Sequence, residues 1–139
     1  MTAKPACCGP IAVRFLEDSS AEIMCRVTDR PTAPGAEGTP FVQSNFSAIT
    51  YSVYDITDEG DEAVVSGHDA ASLTISSVVF NSLQGWSVDT TGHNFRAVIG
   101  PTAFPTGNAR YRIAVKFTHT DGRVGHGVWE GPCQPLSTQ

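Results

Sequence analysis

Lysine is nearly absent from this 139-residue chain, which holds only Lys4 and Lys116 and carries a formal net charge of −5. Phosphate backbones demand a dense basic surface, so nucleic acid is excluded as the main partner. Long apolar runs are missing too. Arg14, Glu17, Asp18, Glu22 and Arg26 break up the first candidate, and nothing approaches the roughly 18 residues of a membrane helix, so no membrane role is expected. The opening Met1 to Pro10 contains two prolines and no apolar core. That does not suit a secretory leader, and the expectation is synthesis in the cytosol without a signal peptide.

Signatures of catalysis are equally scarce. The nearest string to a nucleophile elbow, Gly85-Trp-Ser-Val-Asp89, lacks the second glycine, and there is no helix signal after it. His68, His93, His119 and His126 are dispersed, so no two imidazoles are spaced to share a metal, and they are expected as solvated or hydrogen-bonded surface groups. No phosphate-cradling or dinucleotide glycine motif occurs. The chain is therefore expected to be no enzyme and to need no cofactor and no metal.

What is present is enough apolar material, 40% of residues, to build one domain with a core. Cys7, Cys8, Cys25 and Cys133 leave two readings open. Either Cys25 is a small buried hydrophobe on a strand and the others are free thiols near the ends, or some of the four form a disulfide within or between subunits once the protein leaves the reducing cytosol. Zinc is disfavoured because no C-x₂-C pair exists.

Strand signals dominate the chain. Tyr111, Ile113, Val115 and Phe117 alternate with Arg110, Arg112, Lys116 and Thr118, then Asp121-Gly122 supplies a tight turn and Val124 to Trp129 returns. This reads as a terminal hairpin. Ile11, Val13 and Phe15 alternate, and so do Ala21, Ile23, Cys25 and Val27 after Asp18-Ser19-Ser20, which predicts a second hairpin or two neighbouring strands. Residues 28–46 include three prolines and two glycines between Asp29 and Pro40 and read as a long exposed loop. Ile49 to Val53, Ala63 to Val65, Leu73 onward as a strand followed by a turn, and Asn94 to Ile99 complete the pattern. The sum is seven or eight short strands: an all-β, antiparallel immunoglobulin-like β-sandwich spanning 11–131, with an arm at 1–10 and a tail at 132–139.

Two surface strings stand out. The acidic stretch Asp55, Asp58, Glu59, Asp61 and Glu62 lacks the regular order of a calcium loop and reads first as a solvated turn, with a weak ion site or a contact to a basic partner as the other options. In Gly85 to Phe95, Trp86 and Phe95 read as core anchors, Asp89 as the centre of a side-chain turn and Gly92 as a positive-φ position. The other option is an aromatic that stacks on a sugar or anchors in a partner.

Three strings, Thr50-Tyr-Ser-Val-Tyr-Asp55, Trp86-Ser-Val-Asp-Thr-Thr-Gly-His-Asn-Phe95 and Tyr111-Arg-Ile-Ala-Val-Lys-Phe117, resemble small uncharacterised proteins encoded near the head and tail genes of tailed bacteriophages and prophages. The resemblance covers about Phe41 to Trp129. It implies a virion structural protein with an immunoglobulin-like sandwich, most simply a capsid decoration or cement protein. Its partners would be the major capsid protein or neck and tail proteins, and copies of itself in a homo-oligomer. A head-to-tail neck or tail component is the neighbouring option. A carbohydrate- or ligand-binding sandwich using Trp86, Trp129, Tyr51 and Tyr54 is the alternative of another class. Cys7, Cys8 and Pro34, which are not part of the resemblance, lie in the arm and loop expected to reach neighbouring subunits, and Phe41, Phe46, Trp129 and Leu136 are expected as partly exposed anchors unless these aromatics simply close the ends of the sandwich.

Overall fold

Alternation of large apolar residues with polar ones along Arg110–His119 and Val124–Gln134 sends Tyr111, Ile113, Val115, Phe117, Trp129 and Cys133 to one face, and all six are buried. In the computed structural model, which describes residues 10–29, 38–58 and 60–136, these two segments pair antiparallel around the turn, and Gly122 takes a φ of 93° there. The expected terminal hairpin is present.

The strands in chain order are β1 (Pro10–Ala12), β2 (Phe15–Leu16), β3 (Ala21–Cys25), β4 (Phe46–Asp55), β5 (Ala63–Val64), β6 (Ala71–Leu73), β7 (Val79–Gln84), β8 (His93–Ile99), β9 (Arg110–His119) and β10 (Val124–Gln134). A helical turn, α1 (Ile75–Val78), precedes β7, and short 3₁₀ turns cover Gln43–Asn45 and Pro101–Ala103. One sheet runs β1-β10-β9-β4-β5, with β2 also on β10 and β6 also on β4; the other is β3-β8-β7. Phe95 of β8 packs its ring against Phe117 at 5.1 Å and Trp129 at 6.1 Å, so the two sheets close on a shared aromatic centre.

This is an immunoglobulin-like sandwich. The chain order within the sheets is that of the fold, and Tyr111 makes its corner: the hydroxyl at the start of β9 accepts a hydrogen bond from the Thr106 amide, 3.0 Å away and five residues upstream. The tryptophan usually found on the third strand is missing, and Trp129 of β10 fills the middle instead.

Several expectations are corrected. The two N-terminal segments form neither a hairpin nor adjacent strands. β1 and β2 pair in parallel with β10, while β3 joins the other sheet, so the sandwich is not purely antiparallel. Between β1 and β2 the chain passes so close to β10 that a Cβ on Gly131 would lie 1.6 Å from the Val13 carbonyl oxygen; only glycine fits that approach. The strand expected from Leu73 onward ends at Leu73; a helical turn at Ile75–Val78 follows and then a second strand, β7, with Val78 and Val79 both buried at the turn-to-strand junction. β10 continues to Gln134, so the first residues of the expected tail are strand. Cys25 is disulfide-bonded, and Cys133, offered as another disulfide participant, is a free buried thiol whose pKa burial raises. Cys7, Cys8 and Pro34 lie outside the described residues.

Candidate functional site

One end of the sandwich gathers three connections: the segment from β3 to β4, the β7–β8 loop at Gly85 to Gly92, and the β9–β10 turn. In this fold, loops at one end are the part most free to vary while the sheets hold them still. The local chemistry explains how each loop is fixed.

Asp89 organises the β7–β8 loop. Its Oδ1 accepts from the amides of Thr91 and Gly92, each at 3.0 Å, and from Trp86 Nε1 at 2.6 Å. This is the side-chain turn expected from the sequence, and Gly92 has the expected positive φ, 108°. The other carboxylate oxygen receives Arg26 Nη1 at 2.9 Å, and the same guanidinium nitrogen reaches the Gly92 carbonyl at 2.9 Å. The Gly92 amide, the Trp86 indole and Arg26 together hold the Asp89 carboxyl far below the usual carboxylate range. Arg26 and Asp89 are 63 residues apart, so the pair ties the start of the β3–β4 connection to the β7–β8 loop. Trp86 is half-buried rather than a core anchor, and Val88 beyond it is 72% exposed.

Asn94 is the internal brace. It is 1% exposed; its Oδ1 accepts from the Val27 amide at 2.7 Å, and its Nδ2 donates to the carbonyls of Val27 at 2.8 Å and Phe41 at 2.9 Å. One side chain therefore satisfies the Val27 amide and the Phe41 carbonyl and adds a second donor to the Val27 carbonyl, which also accepts from the Phe41 amide. Thr28 and Pro40 form a bridge beside it, and Asp29 donates its amide to Thr39. Arg123 of the β9–β10 turn reaches across to Asp29 at 3.1 Å while also holding Asp121 at 2.7 Å.

Two imidazoles sit under these loops. His93 is 5% exposed, with Trp86 and Phe80 around it at ring distances of 5.3 and 5.8 Å. His119 is 8% exposed, against Phe41 at 4.5 Å and Phe46 at 5.1 Å. Burial lowers the pKa of both, with the positive charge of Arg96 adding at His93 and that of Arg123 at His119. His68 is buried as well, bonded to Tyr51 Oη at 2.7 Å and Thr102 Oγ1 at 2.9 Å. The expectation of surface imidazoles fails for these three and suits only exposed His126. Strand-end imidazoles became core because aromatic rings and hydroxyls close over them.

The anchor residues are likewise redistributed. Phe41, Phe46 and Trp129 are 8%, 5% and 1% exposed, so none is an exposed anchor. The bridge at Pro40 turns the chain inward, Phe41 meets Phe46 edge to face and lies tilted against His119, on which Phe46 stacks, and Trp129 occupies an inward position of β10. Leu136 is exposed as expected, its amide held by Glu17. The aromatics suggested for sugar stacking do not converge. Trp129 is core, Tyr51 is bonded to His68, and Tyr54 pairs opposite Arg112 at the far end of β9 from the loops.

At that far end, Asp55, Asp58 and Asp61 line an open cleft with Thr106 and Asn108. Asp55 spends one oxygen on the amide and hydroxyl of Thr57, and Glu62 pairs with Arg112 at 2.9 Å. Among the described residues no three His, Cys, Asp or Glu side chains gather to hold a metal ion.

No family model matches the chain, and no curated protein matches it in sequence. Among solved structures it is similar to murine CRIg, at 11% identity and a TM-score of 0.38, over 90% of this chain and 93% of that one.

Proposed function

We propose that the protein is a non-enzymatic structural protein of a tailed-phage virion, a capsid decoration subunit that works through subunit contacts at its loop-bearing end. The observation that carries the mode of action is the bracing of that end. Arg26–Asp89 and Arg123–Asp29 span 63 and 94 residues of sequence, and Asn94 ties the loop bases from inside. Loops fixed in this way lose little conformational entropy when they meet a partner, which favours a surface built for contact. Val88, 72% exposed at the tip of the β7–β8 loop, is the apolar residue such a contact would cover. The phage assignment itself rests on the resemblance of the three sequence strings. The sugar-binding reading loses support because its four aromatics are buried, bonded or far apart.

The experiment is light scattering after size exclusion, on the protein alone and after mixing with capsids of the phage whose genome encodes it. Saturable capsid binding, weakened in Val88→Glu without a change in melting temperature, is the expected result. A stable monomer that ignores capsid, neck and tail complexes would overturn the proposal.

A further inference from the structure

We propose that the loop-bearing end is a proton-sensitive device, in which protonation of His93 and His119 at mildly acidic pH loosens the packing that holds the three loops in place. The observation behind it is a pair of buried imidazoles, each with an Nδ1 that has no hydrogen-bond partner among the described residues.

A neutral imidazole tolerates such a site, since one nitrogen carries the proton and the other only a lone pair. The imidazolium does not, because both nitrogens become donors, Nδ1 has no acceptor to meet, and the charge is held away from water. His93 sits between the rings of Trp86 and Phe80, and the neighbouring Gln84 backbone, which favours the cation, is outweighed by burial and by Arg96. His119 is walled by Phe41 and Phe46. His68 makes the contrast: its two nitrogens meet Tyr51 and Thr102 hydroxyls, which can accept as well as donate.

The surrounding charges do not rescue the cation. Around His93, Arg96 of β8 opposes it, and Glu22 of β3, which would favour it, is already paired with Arg96. Around His119, Arg123 opposes it, while Asp121 and Asp29, one in the turn and one in the β3–β4 connection, are both held by Arg123. The two sites also sit where loosening matters. His93 lies beneath the loop that Asp89 organises, and His119 is the last residue of β9, its amide bonded to the Arg123 carbonyl across the turn.

The sign follows from linkage. Both imidazoles are more acidic in the folded state than in an unfolded chain, so the unfolded state binds more protons below the ordinary imidazole value of about 6.5. Their contribution is complete above that value and is lost as pH falls through it toward the folded-state values. Two such groups lower the folded-to-unfolded ratio by up to about a hundredfold per pH unit, tenfold for each proton. The onset of this window, near the ordinary imidazole value of about 6.5, lies above the range where carboxylates protonate, so the onset distinguishes the two effects.

The test is to follow the ring Cε1–H resonances of the wild-type protein by NMR from pH 8 to 5, with amide hydrogen exchange at both ends of that range. Two rings should titrate below the unfolded-peptide value, and protection should fall first in 85–92 and 120–125. Titration of both rings at or above that value, or protection lost evenly over the sandwich, would overturn the proposal. Denaturation of His93→Phe, His119→Phe and the double variant over the same range should flatten the pH dependence in steps; an unchanged slope in the double variant would also overturn it. If these variants do not fold, the wild-type titration decides alone. The consequence for partner binding rests on the function proposed above, but the titration does not: a protein that ignores capsids and still titrates this way keeps the device and loses the contact reading.

Discussion

Replacing Asn94 probes the brace on which the loop-bearing end depends. Asn94→Ala removes one acceptor and two donor bonds to Val27 and Phe41 and leaves their backbone groups beside a side chain that was 1% exposed. At about 1 kcal/mol for each hydrogen bond lost, the destabilisation comes to about 3 kcal/mol. For a domain of this size that lowers the melting temperature by about 10 °C. Asn94→Asp sharpens the test. Its carboxylate can still accept from the Val27 amide, but its other oxygen faces two carbonyls where Nδ2 donated, so at neutral pH it should be no better tolerated than alanine. Urea denaturation followed by tryptophan fluorescence measures both variants. A loss below about 1 kcal/mol in Asn94→Ala, the size expected of an ordinary surface change, would refute the reasoning.

Further outcomes are expected elsewhere in the molecule. Ile113→Asp buries a charge at a fully enclosed position of β9 and should abolish cooperative melting; a soluble variant that melts cooperatively would contradict the register of that strand. Asp89→Ala should free the Trp86 indole and raise its quenching by acrylamide at neutral pH, because the carboxylate that holds the indole N–H is gone. Equal quenching of variant and wild type would sink that reading. Peptide mapping without reductant should find Cys25 cross-linked and Cys133 alkylated only after unfolding. Rapid alkylation of Cys133 in the native protein would place it at the surface instead.

Much of the sandwich is legible in the sequence wherever one face of a strand is buried and the other is wet. Tyr111 to Phe117 alternates cleanly, Asp121-Gly122 marks the turn, and Ile23 and Cys25 point inward as the period demands. Asp89 and Gly92 are legible because a side-chain turn and a positive φ need particular residues. Partnership between strands is not legible. Nothing in Ile11 to Leu16 distinguishes pairing with β10 from pairing with β3, because alternation fixes faces and not neighbours. β7 is hidden because Val78 and Val79 satisfy a helical turn and a strand equally well. Phe41 and Phe46 look like loop residues until the Thr28–Pro40 bridge shortens the loop and folds them inward. The histidines mislead most, since their burial depends on aromatics distant in sequence, as with Phe41 against His119.

The central claim is that this domain is a component of the virion. Quantitative mass spectrometry of virus particles purified from cells that express the chain tests that most directly. The account predicts the chain in the particle at a fixed copy number relative to the major capsid protein, retained after washing in high salt. Its absence from particles made in cells that express it would contradict the account.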